Sequence, residues 1–275
     1  MPYSNPSILP MTLHFRLLLG AIIITIFALP VQAESFKQAK KFFASADYSA
    51  AIEELQPLAK AGNADANNLL GEIYLHGLGV QTNIAKAKSL FESGARTGHL
   101  DSLNNLDGIL DAEYRLELKT VEPLATSGNA QAQNRLGRMY EFGQGQDINP
   151  KAAFAWYQKA AAQKYMEGNM NLARSYNFGL GTEQNLIKAE AGYLANAQAG
   201  HIDSMFFLGT MHFAQISQAA DDADRQAYAW LKVAADQGHA TAAAMVSRLA
   251  MKLGDNVDKG EALYTQYSAA YAGAQ

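Results

Sequence analysis

The feature that most limits what this chain can fold into is a repeat of 36 residues. Glycine followed by histidine or asparagine recurs at Gly62-Asn63, Gly98-His99, Gly128-Asn129, Gly200-His201 and Gly238-His239. Gly62 to Gly98 is 36 residues, and Gly128 to Gly200 is 72, twice that interval. Lys164-Tyr165 stands at the intervening point. Such a period describes one supersecondary unit stacked on copies of itself, because a lone unit cannot bury both of its apolar faces.

Two further ladders run in phase with the first. Leu70-Gly71-x-x-Tyr74-x-x-Gly77-x-Gly79 returns as Leu136-Gly137-x-x-Tyr140-x-x-Gly143-x-Gly145 and as Leu172-Ala173-x-x-Tyr176-x-x-Gly179-x-Gly181. Leu208-Gly209-x-x-His212 continues it, with Gln215 to Ala223 in place of the glycine loop. The other ladder is Leu90-Phe91, Trp156-Tyr157, Gly192-Tyr193 and Trp230-Leu231, each preceded by alanine at Ala87, Ala153, Ala189 or Ala227. Each repeat therefore reads as a helical hairpin. The first helix follows the Gly-His or Gly-Asn turn and ends at the Gly-x-Gly loop, where leaving a helix favours positive φ. The second begins near Asn83, Pro150, Asn185 or Asp224, residues suited to an N-cap or first turn. The expected fold is all-α, an α-solenoid of stacked antiparallel helix pairs.

These residues resemble the Sel-1-like repeat family, a relative of the tetratricopeptide repeats. The resemblance is carried by L-G-x-x-Y-x-x-G-x-G, then K-A-x-x-x-Y or W-Y-x-K-A-A, then G-[HN]. It is fullest from Ala130 to Ala161 and extends over roughly Asp47 to Leu249. It implies a TPR-like superhelix whose first helices line a concave, protein-binding surface.

The period breaks once. Gly98 and Gly128 are 30 residues apart, and Leu106-Asp107-Gly108 carries no Gly-x-Gly loop. The chain then restarts, since Asp47-Tyr48 to Ala59 matches Glu113-Tyr114 to Ala125, 66 residues on. The expected organisation is a signal peptide over 1–33, helical repeats over 34–110 and 111–254, and a C-terminal capping helix over 255–275, with a junction near Ile109 to Glu113. Pro57 and Pro123 are expected to kink the helix opening each block.

The first segment is read apart from the fold. Leu17 to Leu29 is an apolar run after His14 and Arg16, ending at Pro30-Val31-Gln32-Ala33. This pattern fits a secretory signal cut after Ala33, with Met11 as an alternative start. Retention as an anchor is the competing reading, although the run is short beside the ~20 residues of a span. Cleavage would leave a periplasmic or secreted chain without stable membrane insertion. With no cysteine in the sequence, it has neither disulfides nor a site for lipid attachment.

No catalytic arrangement emerges. His99, His201 and His239 share one turn position and His212 replaces a repeat tyrosine, so the repeat accounts for them without a metal. Ser-x-x-Lys, Gly-x-Ser-x-Gly and Lys-Thr-Gly are absent. The resemblance includes cysteine-rich relatives associated with β-lactams, but this chain lacks both their cysteines and a serine motif. Asp221-Asp222 with Asp224 reads as a helix-capping loop rather than a calcium site. A net charge of −4 gives no field that would recruit nucleic acid. The reading is a non-enzyme without cofactor or metal.

What remains is binding to a protein partner. With Ala132, Leu136, Met139 and Tyr140 inward, Asn134, Arg138 and Glu141 are expected on the outward side of the same helix, at 100° per residue. The corresponding residues of the next repeats include Arg174, Asn177, Phe206 and Phe213. Arg138 and Arg174 side by side would fork onto a partner's carboxylates, or simply be solvated. Phe206 and Phe213 would form a hot-spot pocket, or pack beneath neighbouring segments. The resulting expectation is an interaction scaffold or adaptor. A hydrolase of small ligands or cell-wall fragments and a self-associating structural protein of the envelope are the alternatives.

Overall fold

The computed structural model describes residues 33–214 and 222–272. The expected signal segment ahead of Ala33, including Met11, and the loop from Gln215 to Asp221 lie outside the described residues. Among those described, the secondary structure is helical, with no strand. Helix α1 covers 33–44. It is followed by α2 (Tyr48–Lys60), α3 (Ala64–His76), α4 (Ile84–Ala95), α5 (Leu100–Thr126), α6 (Ala130–Phe142) and α7 (Pro150–Ala162). Then come α8 (Met166–Phe178), α9 (Leu186–Gln198), α10 (Ile202–Phe213), α11 (Ala223–Asp236), α12 (Ala240–Leu253) and α13 (Val257–Ala272).

Each hairpin has a first, or A, helix (α3, α6, α8, α10) packed on its B helix (α4, α7, α9, α11). In the second half, α7, α9 and α11 pack in turn on the next A helix. The repeat residues explain this closeness. A Cβ added at Gly71, Gly137 or Gly209 would lie 2.5–2.6 Å from Phe91, Tyr157 or Leu231, respectively. The Leu-Gly ladder is thus the socket for the aromatic ladder. Ala173 breaks the pattern and Gly192 compensates, since a Cβ there would meet the Ala173 Cβ at 2.8 Å.

The turns are set by caps. Asn63 and Asn129 accept from the backbone N–H of Ala66 and Ala132 at 2.9 and 2.8 Å. The histidines do the same work, because Nδ1 of His99, His201 and His239 accepts from Ser102, Ser204 and Ala242 N–H, each at 3.2 Å. Gly143 and Gly179 end α6 and α8 with φ of 67° and 69°. The second glycine of each loop has an added role: a Cβ at Gly181 (φ 72°) would lie 2.0 Å from the Pro150 carbonyl oxygen. Lys164, where a glycine is missing, still adopts φ 61°, and Tyr165 after it makes no side-chain cap.

The chain divides into two compact units, between Asp111 and Ala112. In the first, Ala51, Leu55, Ala66, Leu70 and Ile73 form the core, and Phe91 packs with Ile109. In the second, the largest core gathers Tyr193, Met205, Leu208, Trp230 and Leu231. The division falls inside α5, which runs without interruption through Ile109 to Glu113. Without a positive-φ glycine pair after Leu106-Asp107-Gly108, nothing turns the chain, so an A helix continues directly into a B-type helix. Pro57 and Pro123 both lie within helices, α2 and α5.

The last helix does not complete a hairpin. α13 packs on α11, with the Tyr267 and Trp230 rings stacked at 4.4 Å. The Tyr228 hydroxyl donates to Glu261 at 2.5 Å, and Lys232 Nζ donates to the same carboxylate at 2.7 and 2.8 Å. Lys232, and then Tyr228, hold the Glu261 carboxyl below the usual range. α12 leaves Ala243 and Ser247 exposed, at the places where α10 buries Met205 and Gly209.

Candidate protein-binding face

In the second unit the A helices α6, α8, α10 and α12 leave a narrower solvent face than a helical wheel implies. A helix inside a stack has neighbours on both flanks, so positions near the edge of the wheel meet protein. Asn134 is one: it is buried, and its Oδ1 accepts from Asn171 Nδ2 of α8 at 2.8 Å. The first unit repeats this link, with Asn105 Nδ2 donating to Asn68 Oδ1 at 3.0 Å. Both pairs span 37 residues, so an asparagine bond joins successive A helices.

Glu141 and Arg174 are also claimed from within. Arg174 Nη2 donates to both Glu141 oxygens, at 2.6 and 2.7 Å. Tyr157, on the B helix α7, donates its hydroxyl to the same carboxylate at 2.5 Å. Burial first, and then the Glu141 bond, push the Tyr157 hydroxyl well above the usual phenol range. The side chains of Arg174 and Glu141 are only 22% and 13% exposed. The expectation of Arg138 and Arg174 as two adjacent available cations is therefore corrected. Arg138 is exposed, while Arg174 closes a clamp between α6 and α8.

Asn177 is buried as well. It stands in α8 where Glu141 stands in α6, beside the B-helix residue Tyr193, whose hydroxyl burial pushes up to about 12. That hydroxyl and Arg174 Nε are buried without a hydrogen-bond partner, so the second clamp is less complete than the first. Phe206 is a packing residue: its ring stacks on the His239 ring at 4.1 Å and 18°. Phe213 remains 40% exposed, with Lys252 Nζ 6.0 Å above its ring.

Two aromatic residues outside the expected set are more exposed. Phe142 and Phe178 end α6 and α8, 36 residues apart, and are 51% and 58% exposed. Each lies one helical turn after an arginine, as Arg138-x-x-x-Phe142 and Arg174-x-x-x-Phe178, on one stripe of its helix. Their signal in the sequence was the repeated Phe-Gly step before each loop. Arg248 and Met251, both exposed, lie on α12 at the positions matching Arg138 and Glu141, counted from the caps His239 and Asn129.

Among the described residues no cluster of three metal-binding side chains forms. His212 is buried, with Nε2 4.0 Å from a Glu190 oxygen; burial lowers its pKa and Glu190 opposes that shift. In the first unit an open depression of about 420 Å³ is lined by Glu92, Ala95, Arg96 and Leu106. No helix among the described residues is long and apolar enough to cross a membrane.

A family profile described as the Sel1 repeat matches residues 64–99, 130–165, 167–191 and 202–239. The chain belongs to the Sel1 repeat family. Its four matched segments take in the hairpins α3/α4, α6/α7, α8/α9 and α10/α11, wholly or in large part. Sel1 repeat proteins generally serve as non-catalytic scaffolds that mediate protein interactions. Among solved structures, this Sel1 repeat chain is similar to a Sel1 repeat protein from Oxalobacter formigenes, at 23% identity over 85% of this chain and 96% of that one, TM-score 0.45. It is also similar to a protective antigen with an SLR fold, present in uropathogenic Escherichia coli strains, at 20% identity over 90% and 62% of the two chains, TM-score 0.39. An immunity protein from Pseudomonas aeruginosa is 18% identical over 84% and 83%, TM-score 0.30. A search of curated proteins gave no match.

Proposed function

We propose that this Sel1 repeat protein is an exported adaptor that holds a protein partner on the solvent face of its second-unit A helices. The observation that carries the reading is the pair Phe142 and Phe178, more than half exposed at matching positions of successive repeats. Exposed aromatic residues in register are costly to leave in water and well suited to anchor a partner. Arg138 beside them supplies a directional polar contact. Of the sequence-expected residues, Arg138 and Phe213 belong to the contact surface. Asn134, Glu141 and Arg174 hold the helices that present it, Asn177 is buried, and Phe206 packs against the last repeat.

Export is part of the proposal, resting on the apolar run Leu17–Leu29 and the small-residue exit at Ala33. Mass spectrometry of the cell-derived protein is expected to find Glu34 at its N-terminus in the periplasmic or secreted fraction; an intact leader in the cytoplasm would contradict it. Binding is tested with Phe142→Ser/Phe178→Ser. The variant is expected to melt like the parent yet lose a stoichiometric partner captured from periplasmic extract. Unchanged capture would count against this face.

A further inference from the structure

We infer that the chain pairs with a second copy of itself along α5, the two α5 helices lying antiparallel so that the first half of each covers the second half of the other. The helix joins an A-type half, capped by His99, to a B-type half that ends before Gly128, and each half lacks cover that its counterparts have. In the first half Leu103 is 37% exposed and Asp107 is exposed. They stand four and eight residues after the cap, where α3 buries Asn67 and Gly71 and α10 buries Met205 and Gly209. Leu106, at the place of the buried Leu70, Leu136 and Leu208, lines the open depression with Glu92, Ala95 and Arg96. The second half is matched by α2, 66 residues earlier. There Ala51, Leu55 and Leu58 are buried in a core to which α1 contributes Phe36, Ala39 and Phe43. The corresponding Glu117 and Val121 are only partly buried, and Leu124 is 48% exposed.

The register of the pairing is set by contacts that the hairpins already make. In α8/α9, Asn169 Nδ2 donates to Asn196 Oδ1 at 2.8 Å, so the residue four after the cap position meets the residue four before the turn glycine. In α5 those two places hold Leu103 and Leu124, an apolar pair. Gly71 receives Phe91, eight after the cap and seven before the glycine. The same places hold Asp107 and Val121, so bulk lost from the B side is regained on the A side. Leu103 and Leu124 of one chain cannot meet, because 21 residues of a single helix separate them, about 30 Å. A second copy brings both missing helices in one element of the right kind and length. Pairing in parallel would set like halves together and leave both hairpin positions unfilled. A two-fold axis across the middle of α5 instead makes the Leu103–Leu124 contact twice and closes the assembly at a dimer.

The inference stands apart from the Phe142–Phe178 face and is tested on the protein purified from cells. The sequence has no cysteine, so Leu103→Cys and Leu124→Cys each supply a single thiol. An oxidised equimolar mixture of the two variants is expected to form a disulfide-linked dimer. Either variant alone is expected to form little, since its two thiols lie about 30 Å apart along the paired helices. Analytical ultracentrifugation of the unaltered protein is expected to show a dimer that dissociates on dilution. Leu103→Asp/Leu124→Asp is expected to weaken that dimer at least about ten-fold, with far-ultraviolet circular dichroism unchanged, whereas Phe142→Ser/Phe178→Ser leaves it intact. A monomer at every concentration, linkage of a single variant as readily as the mixture, or a dimer indifferent to the aspartates would overturn the inference. So would a different protein crosslinked at position 103 or 124 in extract, which would give α5 another occupant. Loss of the dimer with the phenylalanine variant would place self-association on the aromatic face and overturn both readings.

Discussion

The Glu141 carboxylate grips the Arg174 guanidinium across two successive repeats, with Arg174 Nη2 2.6 and 2.7 Å from its oxygens, and takes the Tyr157 hydroxyl on its other side. One acidic side chain thereby ties together α6, α7 and α8. Removing it leaves a mostly buried cation and a buried hydroxyl without partners, which costs more than the pair itself contributes. Glu141→Ala is therefore expected to destabilise the chain by about 2–3 kcal/mol, read from urea unfolding. Arg138→Ala, on the exposed side of the same helix, is expected to change stability by less than about 0.5 kcal/mol. Equal effects would mean that the clamp contributes nothing.

The Gly-x-Gly loop and the Gly-His turn separate two demands made of glycine. Gly181 needs both its positive φ and its missing Cβ, which would fall 2.0 Å from the Pro150 carbonyl oxygen; Gly200, at φ 88°, has nothing within 4 Å of that position. Gly200→Ala is expected to cost about 1–2 kcal/mol from backbone strain alone. Gly181→Ala adds overpacking and is expected to cost about 3 kcal/mol or more. Thermal melts of the two variants rank them directly.

The missing glycine at Lys164 offers the opposite experiment. Lys164 adopts φ 61° without being glycine, and Tyr165 leaves α8 without a side-chain cap. Lys164→Gly/Tyr165→Asn restores the Gly-Asn turn found at Gly62-Asn63 and Gly128-Asn129. Relief of left-handed strain and a new cap should together stabilise the chain by about 1–2 kcal/mol. A lower melting temperature would show that Tyr165 packing outweighs both gains.

His212 makes stability depend on pH. Burial holds its imidazole below the usual range, against the opposing pull of Glu190. A depressed histidine binds its proton more readily in the unfolded chain, so folding loses stability as pH falls below the unfolded value of about 6.5. The stability is fully present above that value. His212→Gln should flatten this part of the profile between pH 7.5 and about 5.5, measured by denaturant titration at each pH. An unchanged slope would assign the acid sensitivity to other groups.

Most of the fold was legible because a stack repeats its own constraints. Gly143 and Gly179 end helices, Asn83 and Asn185 cap them, and Leu136-Gly137 receives Tyr157, each at the position the period assigns. The face was read less well, and the reason is geometric. A wheel of one helix treats every outward position as solvent, whereas Asn134 and Glu141 bond to the next repeat and Asn177 is buried beside Tyr193 of its own hairpin. Phe206 was similarly taken up by His239, the cap of α12. Phe142 and Phe178 escaped notice because they precede the loop glycines, where an apolar residue reads as the end of a helix. The path of α5 depended on an absence, since a missing turn signal marks a degenerate repeat but does not say that the helix continues.

The central claim is that the Phe142–Phe178 face holds a protein in the cell, and site-specific photo-crosslinking measures it most directly. A benzophenone amino acid is placed at position 142 or 178 in the full chain, with position 194, on the B helix α9, as the control. The account predicts one common crosslinked protein from 142 and 178 and none from 194. No adduct at either site, or the same adducts at all three, would contradict it.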